Sequence, residues 1–413
     1  VKLKQFQLDG ADFLAARTRA LLADEPGVGK TGQLIRACDL INAQRVGVLC
    51  PDIGVLHWRR EFRRWSTRDR RVDVIAWEDA RNVKGSERWD VLIPDEFHYG
   101  KNLEAQRTKA VFAKGGLAWY ADRIWCASGT PAPNNVGELW PMLYAFGKTK
   151  MGYDDFIRYY CHVDDRGKVR GNREDHIGEL RAILKSFSLR RLKKDVLPEL
   201  GAIDIQEWYV EPRPDFVIGT VLGFAEAEQR LRAQLAGKSA EDLLTFLAGD
   251  QEFSTLRRFN ALLKAPAIFD TVRFELENGL LNKVVIYGYH KEALATLHNA
   301  FGRAGIGSVL IYGDTPKGER DGLIERWKRD AALPVICASS IIASTVLDFT
   351  AAHQGIMMEM DWVPGNNWQA MQRMHRHGQE NPVTVRVAIG TPIDEIVSDV
   401  LIRKTRDIAE IFD

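Results

Sequence analysis

A chain of 413 residues is longer than one ordinary hydrophobic core organises, so two domains are expected, with room for a helical insertion. Apolar residues at 45% beside 27% charged residues fit a soluble globular protein, and no apolar run has the length of a membrane span or a signal-peptide core, so a cytoplasmic address is expected. Fifty-seven Lys and Arg against 56 Asp and Glu leave a net charge of +1, so any surface for nucleic acid must be local. Cys38, Cys50, Cys126, Cys161 and Cys337 are scattered without a CxxC pair, which argues for buried reduced thiols and against a zinc site or a disulfide framework.

The first predicted element is a short helix in LKQFQLDGADFL, with Leu3, Phe6, Leu8, Phe13 and Leu14 packed on a sheet and Gln7 on the polar side. The amide of Gln7 offers one donor and one acceptor, the pair needed to read an adenine edge. LLADEPGVGKT follows, from Leu21 to Thr31: a buried strand end, a turn with Gly27 and Gly29, and a helix opening at Lys30 and Thr31. This is the layout of a phosphate-binding loop, in which freed backbone N–H groups and a helix N-terminus face an anion. Lys30 is placed to reach the terminal phosphates and the Thr31 hydroxyl to hold Mg²⁺. Asp24 stands where the strict GxxxxGK[ST] pattern has its first glycine, with Glu25 beside it.

RVGVLC, from Arg45 to Cys50, reads as a parallel strand covered on both faces. A helix over Val55 to Trp65 is expected to turn Leu56, Phe62 and Trp65 to the core and to begin an arginine cluster, seven of the thirteen residues from Arg59 to Arg71. Such a cluster is stabilised either by anions, a duplex phosphate backbone among them, or by solvent with Glu61 and Asp69. Val91 to Pro94 is a strand that delivers Asp95 and Glu96, a carboxylate pair where nucleotide-hydrolysing sheets place their acids: Asp95 to hold Mg²⁺ and Glu96 to polarise water. The strand Arg123 to Ala127 runs into Ser128-Gly129-Thr130-Pro131, a tight loop suited to relay the state of a bound nucleotide.

From Gly201 to about Pro266 the pattern turns helical, with Ser239 and Asp242 set as a capping box before Leu243, Leu244, Phe246 and Leu247. From Lys283 the alternation of strands and helices resumes and predicts a second parallel sheet. In WQAMQRMHRHGQ, from Trp368 to Gln379, the residues Gln369, Arg373 and Arg376 recur at spacings of four and three, which predicts one helix face carrying all three.

LKQFQLDGADFL, LADEPGVGKT, VLCP with LHWRREF, PDEFHYGKN, SGTPAPNNVGELW and WQAMQRMHRHGQ occur in the order of the helicase-like motifs of the Swi/Snf-type superfamily-two ATPases, which the chain resembles over nearly its whole length. FIRYYC and LRRLKKDVLPEL look most like the annealing-helicase and HepA-related branch. The resemblance implies an α/β fold of two RecA-like parallel-sheet lobes with a helical insertion: residues 1–200 as the ATP-binding lobe, 201–266 as a protrusion and 267–413 as the second lobe. It implies ATP and Mg²⁺, with Gln7, Asp24, Glu25, Gly27, Gly29, Lys30 and Thr31 around the nucleotide, Thr31 and Asp95 toward the metal, and Lys30, Asp95, Glu96, Gln369, Arg373 and Arg376 in catalysis. Arginines at the last two positions act as fingers on the γ-phosphate, a contribution commonly of about three to five orders of magnitude in rate.

Duplex or branched DNA is the implied partner, met by Arg59, Arg60, Arg63, Arg64 and Trp362, and the implied activity is translocation on duplex DNA with remodelling or reannealing of branches. The chain departs from the pattern at Ser344 and Val346, where the family has glycines, at Asp348 in place of an Asn, and at Val363 in the WNP element. Two alternatives stay open: a strand-separating helicase, and, suggested by the missing glycines, a nucleic-acid-binding protein with a weakened ATPase. The positions of the first and last motifs suggest a bacterial or viral origin.

Overall fold

The structure, a computed structural model, describes residues 3–83, 88–132, 135–165, 167–213, 251–343, 347–361, 364–376, 378–391, 394–395, 398 and 401, with the side chains of 53, 199, 251–256, 317 and 364 excluded. Two compact units divide the chain, one built on Val1–Pro198 and one on Glu199–Arg406. The capping box at Ser239 and Asp242, together with Trp362, Val363, Ser344 and Val346, lies outside the described residues.

In the first unit β1 (Arg19–Leu22), β2 (Arg45–Cys50), β3 (Arg71–Ala76), β4 (Trp89–Pro94) and β5 (Ala121–Ala127) lie in one sheet. A small antiparallel ribbon, β6 (Cys161–Val163) with β7 (Val169–Asn172), stands apart, and the short β8 (Ser188–Leu189) completes the sheet in the order β3-β2-β4-β5-β1-β8, all parallel. Successive side chains point to opposite faces. Ala20, Leu22, Val48 and Ile93 therefore meet residues of the helices α1 (Gln5–Ala15), α2 (Lys30–Leu40) and α3 (Val55–Trp65), while Leu21, Leu49, Leu92 and Ile124 meet Trp77, Phe97 and Phe112 on the other side. Burial on both faces is why these strands read as unbroken apolar runs.

The second unit repeats the plan with β9 (Asp204–Tyr209), β10 (Val284–Gly288), β11 (Ser308–Ile311), β12 (Val335–Ser339), β13 (Gln354–Met357) and β14 (Thr384–Ile389), in the order β11-β12-β10-β13-β14-β9, again all parallel. The two α/β lobes with parallel sheets are those the alternation predicts. One element differs: residues 204–209, placed in a helical stretch by the sequence, form an edge strand paired with β14 from Thr384↔Asp204 to Ile389↔Tyr209. Five of its six side chains are exposed, so it lacks the apolar run that announces a buried strand. The helix Gln251–Glu277 carries Pro266 in its interior, where the insertion was expected to end.

All five cysteines are buried thiols. Among the described residues no helix is long and apolar enough to cross a membrane.

Candidate nucleotide site and arginine helix

Strands β4, β5, β1 and β8 are neighbours and parallel, so the loops leaving their C-terminal ends lie side by side. The loop after β1 turns through Gly27 and Gly29, both at φ +86°, a left-handed conformation that glycine adopts without steric cost. A Cβ on Gly29 would come within 2.3 Å of Gln7 Nε2. Gln7 donates from Nε2 to Val28 O at 3.0 Å and accepts Lys4 N–H on Oε1 at 2.9 Å, so the residue read as an adenine reader abuts the phosphate loop. Lys30 Nζ sits inside the loop, donating to Asp24 O at 2.8 Å and Glu25 O at 3.4 Å, and Thr31 is half-buried in the first turn of α2.

Asp24 explains the departure from the strict glycine pattern. Its φ is not positive, so no glycine is required there, and its fully buried carboxylate is met by a fork from Arg191. Arg191 Nε donates to Asp24 Oδ1 at 3.0 Å and Nη2 donates to Oδ2, which also accepts Gln33 Nε2 at 3.0 Å. The same guanidinium donates to Phe6 O in α1. The backbone continues the pairing of β1 with β8, through Ala23 N–H to Leu189 O at 2.8 Å and Glu25 N–H to Arg191 O at 3.1 Å, and Glu25 Oε2 accepts Lys193 N–H. LRRLK therefore grips the first half of the loop, a role that the sequence flagged only through the family likeness of LRRLKKDVLPEL.

The acids stand at the end of β4. Asp95 is held by its backbone, N–H to Leu49 O at 2.8 Å and O from Trp77 Nε1 at 2.9 Å, and by its side chain, Oδ2 from Trp58 Nε1 at 2.8 Å. Burial and then the adjacent Glu96 carboxylate push the Asp95 carboxyl above the usual range, against the opposing pull of Trp58 and the Lys30 charge. Glu96 adopts φ 47°, ψ 51°, a left-handed conformation that a non-glycine residue holds only when its surroundings impose it. Its Oε2 accepts Ser128 Oγ at 3.1 Å, and Ser128 Oγ lies 2.9 Å from His98 Nδ1 and accepts Thr130 N–H at 3.1 Å. A hydroxyl has one proton; with that proton donated to Glu96 Oε2, Ser128 Oγ accepts from His98, which carries its own proton on Nδ1. Burial lowers the His98 pKa, which keeps the ring neutral. A Cβ on Gly129 would lie 2.6 Å from Pro26 Cγ, so the Ser-Gly-Thr loop packs directly on the phosphate loop. Trp58, His98 and Arg191 join the site without having been read as site residues, and Ser128, read only as part of a relay loop, bonds to Glu96 directly.

Helix α3 has two faces. At about 100° per residue Trp58 and Phe62 fall on one side, Arg60, Arg63, Arg64 and Leu56 on the other, and Arg59 on the flank between them. Trp58 and Phe62 are buried and the four arginines are exposed. Leu56, expected in the core, is 51% exposed because it lies on the arginine side. The cluster is not uniform, since Arg70 is buried against Asp39 while Arg68 donates to Asn42 Oδ1 at 2.8 Å.

In the second unit the helix bearing Gln369 ends at Met371, so Arg373 and Arg376 do not share its face. Arg373 N and Met374 N bond to carbonyls three residues back, which tightens the chain out of the α-helix. Tertiary bonds fix the new path: Phe349 N–H to Arg373 O at 3.0 Å, Arg373 Nε to Ala343 O at 3.1 Å and His375 Nε2 with Leu200 O at 3.1 Å. Gln369 and Arg373 are buried, and burial lowers the Arg376 pKa, opposed by Asp348 and Tyr287. Arg376 Nε is buried with no hydrogen-bond partner among the described residues. Asp348, at the Asn position, accepts Lys328 Nζ at 2.6 Å and Thr350 N–H at 3.0 Å.

An SNF2-related domain matches residues 78–206, and a helicase conserved C-terminal domain matches residues 267–378. The mouse DNA annealing helicase and endonuclease ZRANB3 is 27% identical over an alignment covering 98% of this chain and 40% of that protein. The SWI/SNF-related matrix-associated actin-dependent regulator of chromatin subfamily A-like protein 1 of Xenopus tropicalis is 28% identical, covering 95% of this chain and 43% of that protein. The chain thus spans about two fifths of the length of these relatives. Among solved structures, the Sulfolobus solfataricus SWI2/SNF2 ATPase core in complex with dsDNA aligns with a TM-score of 0.44 and 20% identity, covering 100% of this chain and 93% of that one. The chain thus carries an SNF2-related domain and a helicase conserved C-terminal domain in the order its motifs predict, and it is similar over nearly its whole length to the helicase-like regions of these relatives.

Proposed function

We propose that this chain is an ATP-hydrolysing motor that moves on duplex DNA and remodels or reanneals branched DNA. The observation that carries the reading is the convergence of Lys30, Thr31, Asp95, Glu96 and Ser128 at one sheet edge, close enough for the Lys30 charge to act on Asp95. The donor set fits magnesium: a hydroxyl and a carboxylate are hard oxygen ligands, and the repulsion between Asp95 and Glu96 is relieved by a divalent cation. Thr31 and Asp95 would hold that ion, which when bound neutralises charge on the β- and γ-phosphates.

Lys30, with its ammonium inside the loop, opposes the charge of the terminal phosphates, and the N–H groups around Gly27 and Gly29 orient them. Glu96, fixed by the Ser128 hydroxyl, accepts the proton of the attacking water as its oxygen bonds the γ-phosphorus and the bond to ADP breaks. Gln7 reads the adenine edge, and Asp24 and Glu25 set the loop's shape through Arg191 and Lys193. Gln369, Arg373 and Arg376 are assigned to turnover through their motif, with the unmet Nε of Arg376 as support for an anion there. The exposed arginines of α3 follow the phosphate backbone, and Trp362 joins that surface by its motif alone.

The test is ATP turnover measured across duplex, single-stranded and forked DNA and RNA. The proposal expects turnover to rise with duplex and forked DNA. Stimulation by single strands alone, with separation of a forked duplex, would replace it with a strand-separating helicase.

A further inference from the structure

The acid read as the holder of magnesium and the arginines read as the DNA face are joined by one residue that neither reading uses. Trp58 is 1% exposed, packs against Phe62 with ring centroids 5.9 Å apart, and lies in the core beneath α3. Its ring is fixed by that packing, and a buried indole N–H requires an acceptor. The acceptor is Asp95 Oδ2, at 2.8 Å. A carboxylate turns readily about its last torsion, whose well is broad. With the Asp95 backbone already clamped by Leu49 O and Trp77 Nε1, the carboxylate is oriented by the Trp58 side chain together with the Glu96 backbone N–H, and of the two only the Trp58 bond comes from α3. The opposite face of the same short helix carries Arg60, Arg63 and Arg64, with Arg59 on its flank, all exposed.

We propose that Trp58 is a positioning residue for Asp95, and that α3 carries the engagement of its arginine face by a nucleic-acid phosphate backbone inward to that carboxylate. A rigid helix of eleven residues, seated through Trp58 and Phe62, has no internal joint, so a shift or tilt imposed at Arg59, Arg60, Arg63 and Arg64 moves the indole N–H with it. Partners of this kind behind a metal ligand commonly set metal affinity by about 10- to 100-fold. The inference rests on the reading of Asp95 as a magnesium-holding residue.

The experiment uses the full chain with ADP and Mn²⁺, followed by electron paramagnetic resonance with and without duplex DNA, in the parent protein and in Trp58→Phe. Phenylalanine keeps an aromatic ring but has no donor. Replacement of Trp58 by benzothienylalanine, which keeps the indole shape with sulfur in place of N–H, serves if Trp58→Phe fails to melt cooperatively. The expected result is a loss of Mn²⁺ affinity of about 10-fold, with DNA affinity within about twofold of the parent and no response of Mn²⁺ affinity to DNA where the parent responds. Mn²⁺ affinity within about twofold of the parent, or a DNA response that persists without the indole N–H, overturns the proposal. A parent that binds Mn²⁺ with ADP yet hydrolyses no ATP would defeat the motor reading and leave the Trp58 result to be judged alone.

Discussion

In the first unit, polar groups from neighbouring loops at the sheet edge bond to one another: Arg191 to Asp24 and Gln33, Ser128 to Glu96, Trp58 to Asp95. In the second unit, Arg373, His375 and Gln379 of the Trp368–Gln379 motif each bond to backbone carbonyls of their own lobe. Gln379 Nε2 alone reaches Ala352 O at 2.8 Å, Thr350 O at 3.2 Å and Met374 O at 3.2 Å. The two stretches thus do different work. One assembles chemistry-bearing side chains, and the other first holds an irregular turn in place.

The contrast predicts which variants lose structure and which lose chemistry. The largest stability effect is expected for Arg191→Gln: leaving the Asp24 carboxylate buried without its cation should cost about 3–5 kcal/mol, read by denaturant unfolding, with weaker nucleotide binding in the fraction that folds. A loss below about 1 kcal/mol, in the range of a solvent-exposed pair, would show that the loop does not depend on its grip. Gln379→Ala should cost about 2–3 kcal/mol by leaving carbonyls and the Asn381 N–H without their partner. Nucleotide affinity should be unchanged, because the defect is confined to the second unit's turn, and a parallel fall in affinity would erase the distinction between the two regions. Smallest in stability is the triple substitution of Arg59, Arg63 and Arg64 by Ala on the exposed face. It should leave unfolding within about 0.5 kcal/mol and reduce the slope of log DNA affinity against log salt by about 3. An unchanged slope returns these arginines to solvent.

Much of this was legible in the sequence because strands buried on both faces announce themselves as apolar runs, and because Gly27, Gly29, Lys30 and Thr31 must be consecutive to form their loop. Two features were not, and a third, the outward turn of Leu56, was legible only through helix phase. The edge strand β9 has one neighbour and exposed side chains, so nothing in its pattern separates it from a polar helix. The end of the helix at Met371 is imposed by Phe349, Ala343 and Leu200, distant in sequence, and the spacing of Gln369, Arg373 and Arg376 carries no trace of them. Leu56 is apolar in an otherwise amphipathic helix, and only the phase set by Trp58 and Phe62 shows that it faces outward. Trp58 itself was readable from that phase as a core residue, but its bond to Asp95 required the fold.

The most direct measurement is ATP turnover by the purified chain with magnesium, with and without duplex DNA, for the parent, Lys30→Ala and Glu96→Gln. The account predicts turnover that duplex DNA increases and that falls at least about 100-fold in Glu96→Gln and in Lys30→Ala, with both variants melting as the parent does. Turnover that persists in both variants, or a well-folded parent with none at all, would contradict it.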